Sequence, residues 1–404
     1  MDAWQIPALE YEEHTWHIAD DAPVSRSRRS RGNGAYRSAI PIRMSSIDFN
    51  TMPAELQTDL EDASVALSRF DTRASMQFGD RVLTLGPMSA VLLRTEATSS
   101  SQIENLTVGA KNLALELLHE GNSQNAAVVV GNVRAMESAL ELADDISTEH
   151  LLAVHRALLS AQSGWESYAG AFRTQLVWVG TSSYSPRGAS YVAPQPELIP
   201  TAIDDLIEFM RRDDVPVLAQ CALAHAQFET IHPFADGNGR TGRALVHAIL
   251  RNKGLTPHVV PPVSAGLLRH TEQYFDALTA YRAGDAAPII ENFAEAAQFA
   301  SSSGTQLIDD IAAQLEQTRE LLHGVRRDAA VWKVLPYLVA QPIINSNYLR
   351  TVVGLTKSQA ERALKTLAQA GVLTARSNAK RDVVWEHRGM LDVLDDYAAS
   401  LRRG

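Results

Sequence analysis

His232-Pro233-Phe234-Ala235-Asp236-Gly237-Asn238-Gly239-Arg240-Thr241-Gly242-Arg243 is the stretch on which the reading of this chain turns. Before it, residues 216–231 are apolar at most positions and carry no turn signal, so they predict a buried helix. After it, a second helix is expected from Gly239-Arg240 to about Asn252, closed by Gly254 and Pro257. Two helices joined by a short polar loop place the chain in a mainly α class. The loop concentrates a base, a carboxylate, a glycine-flanked amide and two arginines in twelve residues.

That combination suits a phosphate-bearing ligand. Gly237, Asn238 and Gly239 at a helix entrance can turn backbone N–H groups toward an anion, aided by the helix dipole. Arg240 and Arg243 lie three residues apart on one face, and guanidinium forks match phosphate oxygens. Asp236 is a suitable ligand for Mg²⁺, which takes few protein carboxylates and fills its sphere with phosphate oxygens and water. Neutral His232 can accept a hydroxyl proton near pH 7, and Phe234 is expected in the core. His225, two helical turns before His232, raises the alternative of a His–His metal site, but no Cys or further His stands at ligand spacing, and packing is the expected role.

The segment resembles the signature of the Fic (filamentation induced by cAMP) family, His-x-Phe-x-Asp/Glu-Gly-Asn-Gly-Arg-x-x-Arg, at all eight specified positions. The resemblance implies a protein adenylyltransferase: the histidine deprotonates a Ser, Thr or Tyr hydroxyl of a target protein, which attacks the α-phosphate of ATP. His232 would be the base and Asp236 the Mg²⁺ ligand. Asn238 with the amides of Gly237 and Gly239 would line the anion site, and Arg240 and Arg243 would hold the phosphates. The alternatives are a de-AMPylase of the same family and a DNA-binding regulator whose Fic domain senses nucleotide.

Two further segments fit the family pattern. The β-prone runs 174–180 and 190–192, joined by turn residues, predict a hairpin inserted in the helical domain. The resemblance makes it the flap, with Ser190, Tyr191 and Val192 docking a target strand by β-augmentation. Ser100-Ser101-Gln102-Ile103-Glu104-Asn105 fits the inhibitory motif Ser/Thr-x-x-x-Glu-Gly/Asn. There Ser100 and Glu104 share a helix face and Asn105 is a C-cap. By resemblance, Glu104 would pair with Arg243 and withhold it from ATP.

At 404 residues the chain is too long for one core. Residues 1–50 read as an irregular arm with interspersed arginines, expected to wrap an acidic body. Residues 51–145 form a helical region carrying the inhibitory motif, 146–302 the core, 303–327 a connecting helix and 328–404 a further domain. Single helices are expected over 264–283, 287–302 and 306–325. In the last domain a helix over 331–339, a helix-turn-helix over 345–370 and strands at 372–374 and 383–385 resemble a winged helix.

A net charge of −10 argues against non-specific nucleic-acid binding by the whole molecule. Residues 328–388, however, hold nine basic against four acidic residues. Lys357, Arg362 and Lys365 on the second helix, with Lys380 and Arg381 in the wing, are candidate DNA contacts, and dimerisation or target docking is the alternative use. Cys221 is the only cysteine and reads as a core residue. With no signal-peptide pattern and no bilayer-length apolar run, a cytoplasmic location without membrane contact is expected. A homodimer remains open.

Overall fold

The computed structural model describes residues 4–79, 82–160, 162–180, 182–376 and 383–401, and they are mainly helical. They fall into two compact units, one formed by the stretches to Ser64, Arg134–Gly254 and Thr271–Ala294, the other by Val65–Val133, Leu255–His270 and the chain from Glu295.

The first unit is built around the helix Val217–Ile231, buried at every position from Leu218 onward. A helix that is apolar all round needs partners on every side. One is Asn238–Asn252, also buried over most of its length. The two approach closely because Gly242 has no side chain: a Cβ there would lie 2.9 Å from Phe228 Cδ1 and 3.0 Å from His225 Nδ1. Others are the amphipathic Ile199–Arg211 and the helix Thr271–Arg282, while Thr148–Leu159, N-capped by Ser147, which accepts from the His150 amide, packs on Asn238–Asn252 and Ile199–Arg211.

The amino-terminal arm is not irregular. β1 (Glu10–Trp16) pairs antiparallel with β2 (Gly34–Ile40), from Glu10 opposite Ile40 to Trp16 opposite Gly34, around a short helix Arg26–Gly32. The expected flap hairpin is present but shorter than predicted, as β3 (Trp178–Val179) and β4 (Tyr191–Val192). The arm grips the loop between these strands: Trp16 Nε1 donates to Tyr184 O, Ser185 Oγ to Gly32 O, and Arg187 Nη1 to Arg31 O and Asn33 O. Trp16 also meets Trp178 edge to face. The arm therefore braces the loop between β3 and β4.

In the second unit the carboxy-terminal region shows the expected order: helices Val331–Ala340, Ser346–Thr351 and Lys357–Gln369, then β6 (Thr374–Ala375), β7 (Trp385–Glu386) and a final helix Arg388–Ser400. A strand the sequence did not suggest, β5 (Ile343–Ile344), completes a three-stranded sheet in the order β5-β7-β6. A capping box formed by Thr356 and Gln359 starts Lys357–Gln369. The buried face of this region (Val334, Leu338, Leu364, Leu367) shares one core with Phe70, Met88, Val91, Leu307 and Ile311.

Two helix boundaries differ from expectation. The stretch 264–283 is two helices, Val263–Arg269 and Thr271–Arg282, broken at His270 (φ −129°). The stretches 287–302 and 306–325 are one helix, Ala287–Leu321. Ser301-Ser302-Ser303-Gly304 resembles a break, yet Ser301 and Thr305 hydroxyls bond back to the carbonyls four residues earlier and the helix continues. Gly304 is small for packing, since a Cβ would meet Phe70 Cε2 at 2.7 Å.

Candidate active site

The helix Val217–Ile231 ends in His232, whose backbone is left-handed (φ 51°, ψ 58°). For a non-glycine residue this conformation costs on the order of 1–2 kcal/mol, and it turns the chain sharply out of the helix. Nδ1 of His232 faces Glu229 O at 3.4 Å, with Glu229 Oε2 at 3.6 Å. A proton on Nδ1 is favoured by both oxygens, the carbonyl accepting it, and leaves the Nε2 lone pair as the accepting site. Burial lowers the imidazole pKa to about 4, opposed by the Glu229 carbonyl and reinforced by Arg173 and Arg282. The ring is neutral at pH 7 while 29% of its side chain stays exposed, which is the state a proton acceptor needs.

The loop that follows is closed on itself. The Phe234 amide donates to Asn238 Oδ1 and Asn238 Nδ2 donates to Phe234 O, both at 2.9 Å. The Asn238 amide thus closes the loop through Oδ1 and one N–H of Nδ2, and Nδ2 carries a second N–H. The donors facing an anion are the backbone N–H groups of the first turn of Asn238–Asn252, which no intrahelical carbonyl can accept. Gly237 precedes them in the left-handed region (φ 77°), where a Cβ would also come within 2.6 Å of Leu158 Cδ2.

Asp236 is 40% exposed and receives Arg240 Nη2 at 3.0 Å. Arg240 and Arg243 are both buried to 3% exposure, their charges held at the start of the helix. His225 lies beneath: its Nε2 is 2.7 Å from the Tyr274 hydroxyl, and burial, with the nearby Arg243 charge, lowers its pKa to about 3. It packs against the rings of Tyr274 and Phe293.

Two buried residues of this site carry no mark in the sequence. Arg173, 3% exposed, donates from Nε to His232 O (2.7 Å), from Nη1 to Gln175 O (2.9 Å) and from Nη2 to Pro194 O (2.8 Å) and Ile231 O (3.4 Å). Its own amide donates to Pro233 O. One guanidinium thereby ties both ends of the flap segment to the turn that carries His232; burial lowers its pKa to about 10, still charged at neutral pH. The second is His155, fully buried, whose ring stacks on Phe234 with centroids 3.6 Å apart and planes 5° from parallel. The sequence offers no signal for either, since each is a single residue far along the chain from its partners.

The flap residues differ from one another in exposure. Tyr191 and Val192 are 6% and 5% exposed and point inward. The Tyr191 hydroxyl donates to Thr230 O, and Arg282 lies over the ring at 3.8 Å. Their side chains are closed to a target. Ser190 is exposed, bonding to Val179 O, and Val179 is 54% exposed.

The inhibitory-motif residues lie in the second unit. The helix Val82–Ile103 ends immediately before Glu104, and Ser100 is fully buried. Asn105 has φ 63°, and the Leu106 amide reaches back to Ser101 O. This is a left-handed helix stop, which accounts for Asn or Gly at that position. Lys357, Arg362 and Lys365 are exposed on Lys357–Gln369, opposite its buried Ala360, Ala363, Leu364 and Leu367. Lys380 and Arg381 lie outside the described residues.

Residues 145–250 match the profile of the Fic/DOC family. The chain is 28% identical over 155 residues to a protein adenylyltransferase of Caenorhabditis elegans, covering 38% of this chain and 27% of that protein. It is likewise 28% identical over 183 residues to a probable protein adenylyltransferase of Aquifex aeolicus, 43% of this chain and 54% of the relative. The chain therefore spans about a quarter to about half the length of these relatives. A crystal structure of a Fic family protein from Desulfovibrio desulfuricans aligns over 80% of this chain and 95% of its own, at 22% identity and a TM-score of 0.48.

Proposed function

We propose that this chain, whose residues 145–250 match the Fic/DOC family, transfers AMP from ATP to a hydroxyl of a target protein under restraint by Glu104. The observation that carries this reading is His232 itself: neutral, with Nε2 open, held at the mouth of a helix N-terminus that also presents Arg240 and Arg243. In this reaction Nε2 takes the proton of the attacking hydroxyl as its oxygen bonds to the α-phosphorus. The bond from the α-phosphorus to the bridging oxygen breaks, and pyrophosphate leaves with the electron pair. The first-turn amides and the arginines stabilise the charge on the phosphates.

The donor set fits Mg²⁺. Asp236 is a lone, half-open carboxylate beside the anion site, and the ion needs little more from protein when phosphates complete its sphere. Asp236 would hold it, and the ion would neutralise charge on the phosphate oxygens. Arg240 already pairs with Asp236 and so fixes the carboxylate's direction. Glu104, at a sharply stopped helix end, is supported as the restraint by its place in the motif with Ser100 and Asn105.

Intact mass after incubation of the protein with ATP and Mg²⁺ tests the reading. Added AMP on the wild type and its loss in a folded His232→Ala variant are expected. A folded variant that transfers at the wild-type rate removes His232 from the chemistry. A DNA-binding role has its own support in the exposed Lys357, Arg362 and Lys365. Because that region shares its core with Phe70 and Met88, a gel shift belongs on the full chain rather than on the isolated segment.

A further inference from the structure

We propose that His155 is a positioning residue which, as the neutral Nε2–H tautomer, ties the backbone of Asp236 to the root of the flap at Gly170, setting the metal-holding loop and the flap together. The proposal rests on the AMP-transfer reading for its effect on activity, though not for its geometry.

The tautomer follows from the donors. The Gly170 amide points at Nδ1 of His155 at 3.0 Å, and an amide can only donate. Nδ1 therefore carries the lone pair and the ring proton sits on Nε2, which donates to Asp236 O at 3.0 Å. One ring thus bridges residues 15 and 81 positions away in sequence. Gly170 (φ 70°) approaches so closely that a Cβ would lie 2.8 Å from Leu152 O and 2.9 Å from Arg156 Nε. Only glycine brings its amide to the ring at that distance.

Stacking on Phe234 removes the remaining freedom of the imidazole, and Phe234 is itself locked to Asn238. The carbonyl that His155 holds belongs to the residue whose carboxylate faces the nucleotide side. A shift of that carbonyl turns the Asp236 side chain with it. Arg173 fastens the far parts of the flap segment to His232, whereas His155 fastens its near end to Asp236. The base and the carboxylate are thus each pinned to the flap by a separate buried residue.

Three variants of the full chain separate the two bonds. His155→Phe keeps the stack and removes both. Asn places an acceptor where Nδ1 stands, so His155→Asn keeps only the Gly170 bond. Gln places a donor where Nε2 stands, so His155→Gln keeps only the Asp236 bond. Loss of a partner that orients a metal ligand weakens metal use by about 10–100-fold. The Mg²⁺ concentration for half-maximal AMP transfer should rise by about tenfold or more in the Phe and Asn variants and stay near wild type in Gln. Amide hydrogen exchange without nucleotide gives a readout independent of activity: 168–173 should exchange faster in Phe and Gln, and 234–240 faster in Phe and Asn. Folded variants with wild-type exchange in both segments would overturn the proposal. So would Asn and Gln variants whose half-maximal Mg²⁺ concentrations rise equally, in proportion to the fall in their melting temperatures. If neither the wild type nor Glu104→Gly transfers AMP, the AMP-transfer reading fails and the exchange patterns alone decide the role of His155.

Discussion

Replacing Arg173 by methionine keeps the length of the side chain and removes its charge and every donor. The guanidinium makes three bonds of 2.9 Å or less, to His232 O, Gln175 O and Pro194 O, and a longer one to Ile231 O. Hydrogen bonds from a charged donor contribute about 1.5–3 kcal/mol each, so the three short ones sum to about 5–9 kcal/mol gross. Releasing a buried charge from a dry site returns several kcal/mol, which leaves a net loss of about 3–5 kcal/mol. That is a large share of the stability of a typical domain. Arg173→Lys should lose less, since an ammonium keeps the charge but reaches fewer of the four carbonyls.

The catalytic effect is separable from the stability effect. The His232 carbonyl is held by Arg173, while the first-turn amides of Asn238–Asn252 are not. Arg173→Lys should therefore lower kcat for AMP incorporation by about a hundredfold, the cost of displacing a reacting group by about 1 Å, and change KM for ATP by less than threefold. Urea denaturation followed by circular dichroism gives the first quantity and radiolabelled ATP incorporation the second. A folded Arg173→Lys protein with wild-type kcat, or an Arg173→Met protein within 1 kcal/mol of wild type, would refute the reasoning.

Glu104→Gly should raise AMP incorporation by at least tenfold, a barrier change of about 1.4 kcal/mol; unchanged or reduced incorporation in a folded protein removes Glu104 as a restraint, and slower AMP removal from a modified target would favour the reverse reaction. Acid should destabilise the first unit through His155 and His225, whose folded pKa values of about 4 and about 3 lie below the ordinary 6.5. The unfolded chain then binds more protons below pH 6.5, so their stabilisation is present above that pH and is lost as pH falls toward 4. At pH 5 the loss is about 2 kcal/mol for each histidine, and a melting temperature whose fall between pH 7 and 5 is not reduced by His225→Phe would exclude His225 as a source.

The loop 232–243 was legible because its chemistry is contiguous. Eight specified residues in one turn between two helices fix the helix ends, the glycine conformation and the order of functional groups together. The flap hairpin was legible as a place and not as a set of contacts. Alternation locates β3 and β4, but which side chains face a target depends on Thr230 and Arg282, which hold Tyr191 inward. The arm reads as irregular for a compositional reason. Arg26-Ser27-Arg28-Arg29-Ser30-Arg31 forms only the short connecting helix, and the strand before it, Glu10–Trp16, is polar and mostly exposed with no alternation to mark it.

Arg173 and His155 mark a firmer limit. Each acts through backbone carbonyls or amides of distant segments, and a backbone partner leaves no trace in the identity of the residue that supplies it. Nothing in Pro194 or Gln175 announces that its carbonyl will accept from a guanidinium. Asn238 shows the same limit inside the signature. Its side chain has the right groups to bind phosphate and the right groups to close a loop, and residue type cannot decide between them. Geometry shows the loop-closing use: the amide meets Phe234 through its oxygen and one of its two N–H groups. The loop-closing bonds set the curvature that aims the first-turn amides of Asn238–Asn252, and the proposed anion site draws on those amides, on Arg240 and Arg243, and on the second N–H of Asn238.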